Sequence, residues 1–248
     1  MDNLKKILEK AKSAFGAKDY QTAFEIWKSL AEQRNAEAQF NLGRMYSYGR
    51  GVKENHKKAV KWYQLAGEQG NAEAQFNCGL MHHNGLGVSQ DHKEAVKWWE
   101  LAAEQGNAEA QINLGRMYAK GRGVKENHKK AVKWYQFAAE QGNASAQYNL
   151  GVMYDEGHGV QQDYEEAVKW YQFAAEQGNA SAQYNLGVMY DEGQGVDQDY
   201  VLAHMWYNLA DSSGNKDSTK NKKLLEAKMT PSQIEKAQEM ARNWKPNK

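Results

Sequence analysis

Apolar residues recur along this chain at helical spacing, in pairs of short segments separated by glycine-rich turns. In the first segment they lie at i, i+4, i+7 and i+8, on one face of a helix: Ala38, Leu42, Met45 and Tyr46. In the second segment they lie at i, i+3 and i+7: Ala59, Trp62 and Ala66. The pattern therefore predicts a helical hairpin, with helix A after Asn35 and helix B after Asn55.

The hairpin recurs along most of the chain. The segment from Asn35 to Gly70 repeats with a period of 36 residues, and its copies begin at Asn71, Asn107, Asn143 and Asn179. Of the 22 glycines, 20 occupy four fixed positions of the repeat, so the repeated backbone accounts for them better than five separate functions would. Gly70 is expected to adopt a left-handed conformation after helix B, and the next Asn caps the following helix A.

Both ends of the array require caps, because two short helices cannot bury an apolar face alone and the hairpins must stack. We expect an N-terminal capping hairpin in residues 1–34 and C-terminal capping helices in residues 215–248. Thr230, Pro231 and Gln233 form the start signal of the last helix. Its apolar residues are expected to dock on the last repeat: Ile234, Ala237, Ala241 and Trp244.

The repeated motif resembles the Sel1-like repeat (SLR) family, a relative of tetratricopeptide repeats. The motif is A-x-x-x-L-G-x-x-Y-x-x-G-x-G-V followed by K-A-x-x-W-x-x-x-A, and the fourth repeat shows its first part cleanly: Ala146, Leu150, Gly151, Tyr154, Gly157, Gly159 and Val160. The resemblance implies an adaptor or scaffold in protein complexes, in bacteria often linked to signalling or host contact. The second repeat departs from the motif, with Cys78 in place of Leu and His82 in place of Tyr.

Together, the repeat and the resemblance predict an all-α fold. We expect a right-handed α/α superhelix, or solenoid, of five 36-residue SLR hairpins between N- and C-terminal capping helix pairs. The five repeats span 35–70, 71–106, 107–142, 143–178 and 179–214.

Composition and charge argue against several classes of partner. The chain has 32 Lys and Arg against 31 Asp and Glu, a net charge of +1, so no nucleic-acid partner is expected. No apolar run approaches the roughly 18 residues that a membrane span needs, and the N-terminal segment lacks the apolar core of a signal peptide. The single cysteine, Cys78, cannot form an internal disulfide, which favours a reducing compartment. We therefore predict a cytoplasmic protein, with export by another route left open.

The most variable positions of helix A predict a binding surface for another protein or an extended peptide. They lie opposite the Ala38 stripe, and in tetratricopeptide-like solenoids helix A lines the inner surface. Aromatic and arginine residues, which are enriched at interface hot spots, occur among them. The predicted residues are Phe40, Arg44, Tyr48, Phe76, Leu80, His83, Ile112, Arg116, Lys120, Tyr148, Val152, Asp155, Glu156, Tyr184, Val188, Asp191 and Glu192. The alternative is that the aromatic residues at the sixth position of each repeat only pack between adjacent A helices.

Charge is segregated along the repeats. The first repeat has six basic and three acidic residues, net +3, and the third has seven and three, net +4. The fourth has one basic and six acidic residues and the fifth has none and five, so each carries −5. We expect a charge-polarised groove, and the alternative is neutral drift on solvated surfaces.

An asparagine recurs at the seventh position of every repeat: Asn41, Asn77, Asn113, Asn149 and Asn185. An amide offers both a donor and an acceptor, which suits contact with an extended peptide backbone. The alternative is that each Asn bonds the backbone of the neighbouring repeat. Both interpretations remain open at this stage.

Side chains with reactive chemistry do not form a recognisable catalytic or metal-binding set. His82 and His83 point about 100° apart on a helix, which makes a poor metal pair. Ser213-x-x-Lys216 matches a motif of β-lactamases, an activity proposed for the cysteine-rich branch of the family, but neither S-D-N nor K-T-G accompanies it. Cys78 occupies a Leu position and is expected to be a buried small hydrophobe. We predict a scaffold that is not an enzyme, with no cofactor, metal or small-molecule substrate; the alternatives are a hydrolase such as a β-lactamase and a structural spacer.

Overall fold

The computed structural model describes residues 2–247, and this part of the chain contains fourteen α-helices. They are α1 (Asp2–Gly16), α2 (Tyr20–Glu32), α3 (Ala36–Tyr48), α4 (His56–Gly67), α5 (Ala72–Asn84), α6 (His92–Glu104), α7 (Ala108–Lys120), α8 (His128–Glu140), α9 (Ala144–Glu156), α10 (Tyr164–Glu176), α11 (Ala180–Glu192), α12 (Tyr200–Ser212), α13 (Lys216–Glu226) and α14 (Pro231–Asn243). The predicted all-α architecture of helical hairpins flanked by two capping pairs is confirmed.

The helices form two compact units, Met1–Glu126 (unit 1) and Asn127–Lys248 (unit 2). Unit 1 contains α1 to α7 and unit 2 contains α8 to α14. Within each unit, each helix packs on its neighbours in the sequence, and the two helices of a complete repeat make the most extensive contact. The predicted stacking of consecutive hairpins therefore holds inside each unit.

Local capping chemistry sets where the helices begin. The side chain of Asn35 accepts a hydrogen bond from the Ala38 amide at 2.9 Å, and Asn55 accepts one from the Lys58 amide at 2.9 Å. Gly70 has a φ of +88°, the left-handed conformation expected after helix B. The predicted capping box at the start of α14 is also present, since Thr230 and Gln233 bond each other's backbone amides.

The buried face of helix A agrees with the predicted stripe, whereas the prediction for helix B was wrong in one respect. Ala59 and Ala66 are fully buried, but Trp62 is only half-buried and its neighbour Tyr63 takes the central core position. The Tyr63 ring lies against Gly43 of helix A, where an added Cβ would stand 2.7 Å from Cδ1. Helix B therefore turns its tyrosine toward helix A of the same repeat.

The repeated tryptophan has a different neighbour. The ring of Trp98 lies against Gly67 in helix B of the preceding repeat, 3.0 Å from where a Cβ would stand. This contact lies between consecutive B helices and leaves the other side of the ring near solvent, so Trp98 is half-buried. A helical wheel alone cannot distinguish these two faces, because both are apolar.

A buried glutamine links successive repeats, and the apolar pattern gave no indication of it. Gln75 in α5 donates from Nε2 to the Gly67 carbonyl of α4 at 2.9 Å, and its Oε1 accepts from Nε2 of Gln105 at 2.7 Å. Gln39 and Gln147 make the same pair of contacts in their repeats. Each side chain satisfies its polar atoms in the core, as burial of an amide requires, and it ties helix A to both neighbouring B helices.

The C-terminal helices cover the last repeat as predicted. Leu225 of α13 is fully buried in a cluster with Tyr207, and α14 packs along α12. Trp244, just after α14, meets Trp206 edge to face with ring centroids 6.4 Å apart. Trp206 is consequently 7% exposed, in contrast to the half-buried Trp170. The tail therefore closes the end of unit 2.

Candidate polypeptide-binding surface

The predicted binding residues lie on the A helices α3, α5 and α7 of unit 1 and α9 and α11 of unit 2. Twenty of the twenty-two are partly or fully exposed, and Tyr48 is 60% exposed. The two exceptions are Ile112, which is 2% exposed, and Asn41, which is 9% exposed. The expectation that these two face a ligand was wrong, because neighbouring side chains enclose them within the core.

The sixth-position aromatic residues pack on helix B of their own repeat. Phe40 lies 6.0 Å from Tyr63 between ring centroids, Tyr148 lies 6.0 Å from Tyr171, and Tyr184 lies 6.0 Å from Tyr207. These rings thus pack against helix B, which differs from packing only between adjacent A helices, and part of each remains open to solvent.

Arginine and aromatic side chains form a cluster at the N-terminal end of unit 1. The Arg44 guanidinium stands over the rings of Phe15 and Phe40, at 5.9 Å and 5.6 Å from their centroids. The Arg50 guanidinium stands over Phe15 and Tyr48, at 5.5 Å and 5.6 Å. The sequence pattern did not indicate Phe15 or Arg50, since Phe15 belongs to the capping hairpin and reaches the cluster only through tertiary packing.

His83 extends the polar lining of unit 1 in the second repeat. Its ring lies 4.8 Å from the His92 ring and 5.3 Å from the Trp99 ring. Burial, followed by the neighbouring His92 and Arg122, lowers the pKa of His83 below its usual value. His83 is therefore more readily neutral than an exposed histidine, and it can offer a ring nitrogen as a hydrogen-bond acceptor.

The acidic residues of unit 2 lie in two different environments. Asp155 accepts a hydrogen bond from the Tyr171 hydroxyl at 3.0 Å, and burial raises the pKa of its carboxyl. Asp191 instead pairs with Lys228, at 3.3 Å from Nζ to Oδ1. Glu156 and Glu192 are exposed. Glu156 and Glu192 are therefore the members of the acidic set that a partner could most readily contact.

The chain itself covers part of the predicted surface in the fifth repeat. Tyr184 and Val188 pack against the cluster around Leu225 of α13, and Asn221 donates to the Tyr184 hydroxyl at 3.2 Å. The basic helix α13 thus lies on an acidic repeat. This arrangement leaves the fourth repeat as the more open part of the unit 2 surface.

The recurring asparagines bond within the protein. Asn41 and Asn77 donate from Nδ2 to the Glu37 and Glu73 carbonyls of their own helices, at 3.0 Å and 2.7 Å. These contacts differ from the expected bonds to a neighbouring backbone, but they give the amides a structural role.

Residues with possible reactive chemistry are dispersed. Cys78 is a buried free thiol, and burial raises its pKa. Ser213 is the C-cap of α12 and Lys216 begins α13, so this pair lies at an inter-helix turn. Across residues 2–247, His, Cys, Asp and Glu do not gather in any group of three or more that could hold a metal. None of the described helices has the length and apolarity to cross a bilayer.

The 36-residue repeat corresponds to a known family. The model of the Sel1 repeat matches five consecutive stretches, 36–71, 72–107, 108–143, 144–179 and 180–215. The chain belongs to the Sel1 repeat family. Sel1 repeat proteins are generally protein-interaction modules built on a helical solenoid scaffold, so the fold class predicted from the sequence is confirmed.

A solved structure with the same architecture agrees with this assignment. A Sel1 repeat protein from Oxalobacter formigenes is 35% identical, and the match covers 98% of each chain with a TM-score of 0.81. A protective antigen of uropathogenic Escherichia coli strains that displays an SLR fold is 29% identical, with 91% of this chain and 64% of that chain covered and a TM-score of 0.47. A sel1-like repeat-containing protein of Acanthamoeba polyphaga mimivirus is 54% identical over 39 residues, 16% of this chain and 7% of that protein.

Proposed function

We propose that this Sel1 repeat protein is a non-catalytic scaffold that binds another protein or an extended peptide through the A-helix surfaces of its units. The observation that carries the proposal is the contrast between conserved and variable positions within helix A. Four positions of helix A keep the same side chain in every repeat and are buried, as at Ala146, Gln147, Gly151 and Met153 in α9. The variable positions of α9, such as Tyr148 and Val152, stay partly open.

Charge distinguishes the surfaces of the two units. Unit 1 presents Arg44, Arg116 and Lys120, whereas unit 2 presents Glu156 and Glu192. We infer that each unit prefers a segment of opposite charge, because complementary potentials speed association and reject partners of like charge. Lys222 of the basic helix α13 pairs with Asp211 of the acidic fifth repeat, an internal example of this preference.

The single cysteine bears on where the scaffold works. Cys78 is a buried free thiol with a raised pKa, so this part of the fold does not depend on a disulfide or on an oxidising environment. We infer that the protein acts in the cytoplasm. Fractionation of the native cells followed by immunoblotting tests this inference, and recovery of the protein in the extracellular fraction would contradict it.

Surface plasmon resonance with a partner identified by pull-down and mass spectrometry tests the binding surface. Tyr148→Ala should speed dissociation and cost about 1 to 2 kcal/mol of binding free energy, as loss of an aromatic anchor does. The matched control is Phe173→Ala, which removes a 44% exposed ring of the same repeat from helix B. If Phe173→Ala weakens binding and Tyr148→Ala does not, the binding surface lies on the B helices.

Charge reversal provides a second arm of the same experiment. Glu156→Lys and Glu192→Lys change exposed residues, and they are preferable to reversals of Asp155 and Asp191, which bond Tyr171 and Lys228. For a partner that binds unit 2, the double variant should mainly slow association and alter its salt dependence. An unchanged association rate in a folded variant would show that these two residues do not guide the partner.

A further inference from the structure

The Arg44 and Arg50 side chains of unit 1 are held in place without any acidic partner. Each guanidinium lies over two rings at cation–π distance, and both share the ring of Phe15. Among the described residues, neither guanidinium forms an ion pair. A cation–π contact supplies no hydrogen-bond acceptor atom, so the N–H groups of each guanidinium can still donate to a carboxylate. The cluster is therefore a pre-positioned set of donors for an anionic group.

Two clefts adjoin this cluster, and Phe40 and Arg44 form the ridge between them. One cleft, of about 390 Å³, is also lined by Phe15 and Trp27. The other, of about 460 Å³, is also lined by Tyr48, Phe76 and Asn77. Each cleft thus offers aromatic walls beside the same guanidinium, a combination that suits an apolar side chain next to an acidic one.

We propose that the Arg44–Arg50 cluster binds a segment of a partner polypeptide that carries two acidic residues together with aromatic or aliphatic ones. This inference rests on the proposed function and names the kind of partner that unit 1 takes. A carboxylate accepts two N–H bonds from one guanidinium, and stacking lowers the entropy lost when the contact forms. An aromatic or aliphatic residue on the same side of the segment as the acidic ones enters a cleft beside Phe40.

The spacing of the cluster fits an extended segment. Both guanidiniums stand over one ring, so their Cζ atoms lie at most about 11 Å apart. Residues i and i+2 of an extended chain are about 7 Å apart and point to the same side. Two carboxylates on flexible side chains can therefore reach both arginines while the intervening residue points the other way.

Acidic residues at the clefts argue against a polyanion. Glu37 lines the first cleft, where it pairs with Lys12 at 2.8 Å, and Glu73 lines the second. A nucleic acid would bring a phosphate close to each of these carboxylates, and like charges repel. A polypeptide can place its acidic residues at the arginines and neutral residues elsewhere.

Selection from a phage-displayed library of random dodecapeptides, on the immobilised full-length protein, tests the proposal. We expect the enriched sequences to contain Asp or Glu next to aromatic or aliphatic residues. The most enriched peptide is then synthesised with a fluorescent label, and its affinity is measured by fluorescence anisotropy. Arg44→Gln with Arg50→Gln should weaken its binding at least about tenfold, because charged hydrogen bonds are lost.

A matched control distinguishes this site from general attraction to a basic surface. Arg116 is an exposed arginine at the same repeat position as Arg44, and it stands over no aromatic ring among the described residues. Arg116→Gln removes one positive charge, as Arg50→Gln alone does, and should leave the affinity within about twofold, because exposed charges away from the contact contribute little. Arg50→Gln alone, at an exposed position, keeps the test valid if the double variant fails to fold.

The remaining outcomes separate this inference from the proposed function. If a selected peptide binds the double variant as tightly as the parent but loses affinity for Tyr148→Ala, scaffold function stands and the arginine site is wrong. If no peptide is enriched, both proposals fail. Displacement of the labelled peptide by single-stranded oligothymidylate would show a polyanion site and would also overturn the inference.

Discussion

A Cβ atom added at Gly87 would lie 2.4 Å from the carbonyl oxygen of His56. Gly87 belongs to the turn of the second repeat, and His56 is the first residue of helix B in the first repeat. The same backbone contact recurs one repeat later between Gly123 and His92. At the second glycine of the turn, one repeat therefore contacts the backbone of the previous repeat.

Substitution of this glycine should be more harmful than substitution of a glycine that only turns the chain. Gly87→Ala should lower the midpoint of urea denaturation, because a strained positive φ costs about 1 to 2 kcal/mol and overpacking adds about 1 to 3 kcal/mol. Gly106→Ala is the control, since Gly106 has a φ of +88° and nothing within 4 Å of its added Cβ. Equal effects would mean that the turn moves freely away from His56.

The C-terminal helix should be required for a stable, monomeric chain. Deletion of residues 229–244 uncovers Trp206 and the apolar surface of α12, so we expect a lower melting temperature or aggregation. Trp244→Ala should cost about 2 to 4 kcal/mol, as loss of a packed aromatic side chain does. Glu239→Ala, at an exposed position of α14, serves as the control. A truncated chain that stays monomeric with an unchanged melting temperature would refute the capping role.

The thiol of Cys78 should be unreactive toward thiol reagents in the folded protein. Burial raises the pKa of its thiol, so the reactive thiolate is scarce and the sulfur is also shielded. We expect slow reaction with Ellman's reagent under native conditions and rapid reaction in concentrated urea. Fast native labelling would indicate that the second repeat opens readily and that its core is loose.

Two aspartates of unit 2 should affect stability with opposite dependence on pH. Burial raises the pKa of Asp155, whereas hydrogen bonds from Lys222 and Thr219 lower that of Asp211. Between the ordinary value of 3.8 and its raised pKa, Asp155 binds more protons in the folded state, so its contribution to stability falls as pH rises. Asp211 contributes stability above 3.8, and that contribution is lost as pH falls through its lowered pKa.

Thermal melts of single variants from about pH 3 to 7 measure these contributions. Asp155→Asn keeps an acceptor for the Tyr171 hydroxyl and should gain stability relative to the parent as pH rises. Asp211→Asn should lose stability relative to the parent at neutral pH, and the loss should shrink in acid. Parallel pH profiles for the two variants would contradict the assigned environments.

The sequence alone determined the number, order and approximate bounds of the repeated helices. Asn35 and Asn55 cap helices through bonds that span only a few residues, so their role is visible without any tertiary contact. The same segment recurs every 36 residues, and similar segments adopt the same backbone conformation. The assignment of one helical hairpin therefore applied to all five repeats. The docking of the C-terminal tail was predictable for a related reason, because an apolar stripe at the end of a stack needs a cover.

Only the tertiary structure decided which side chain meets which neighbour. Trp62 and Tyr63 are both apolar enough for the core, and only the positions of the adjacent helices place Tyr63 against Gly43. Ile112 shares its repeat position with Phe40 yet is buried, because burial depends on surrounding helices and not on helical phase. Phe15 lies under Arg44 and Arg50 from a distant part of the chain. Periodicity specifies the faces of one helix, whereas packing between helices determines what each face contacts.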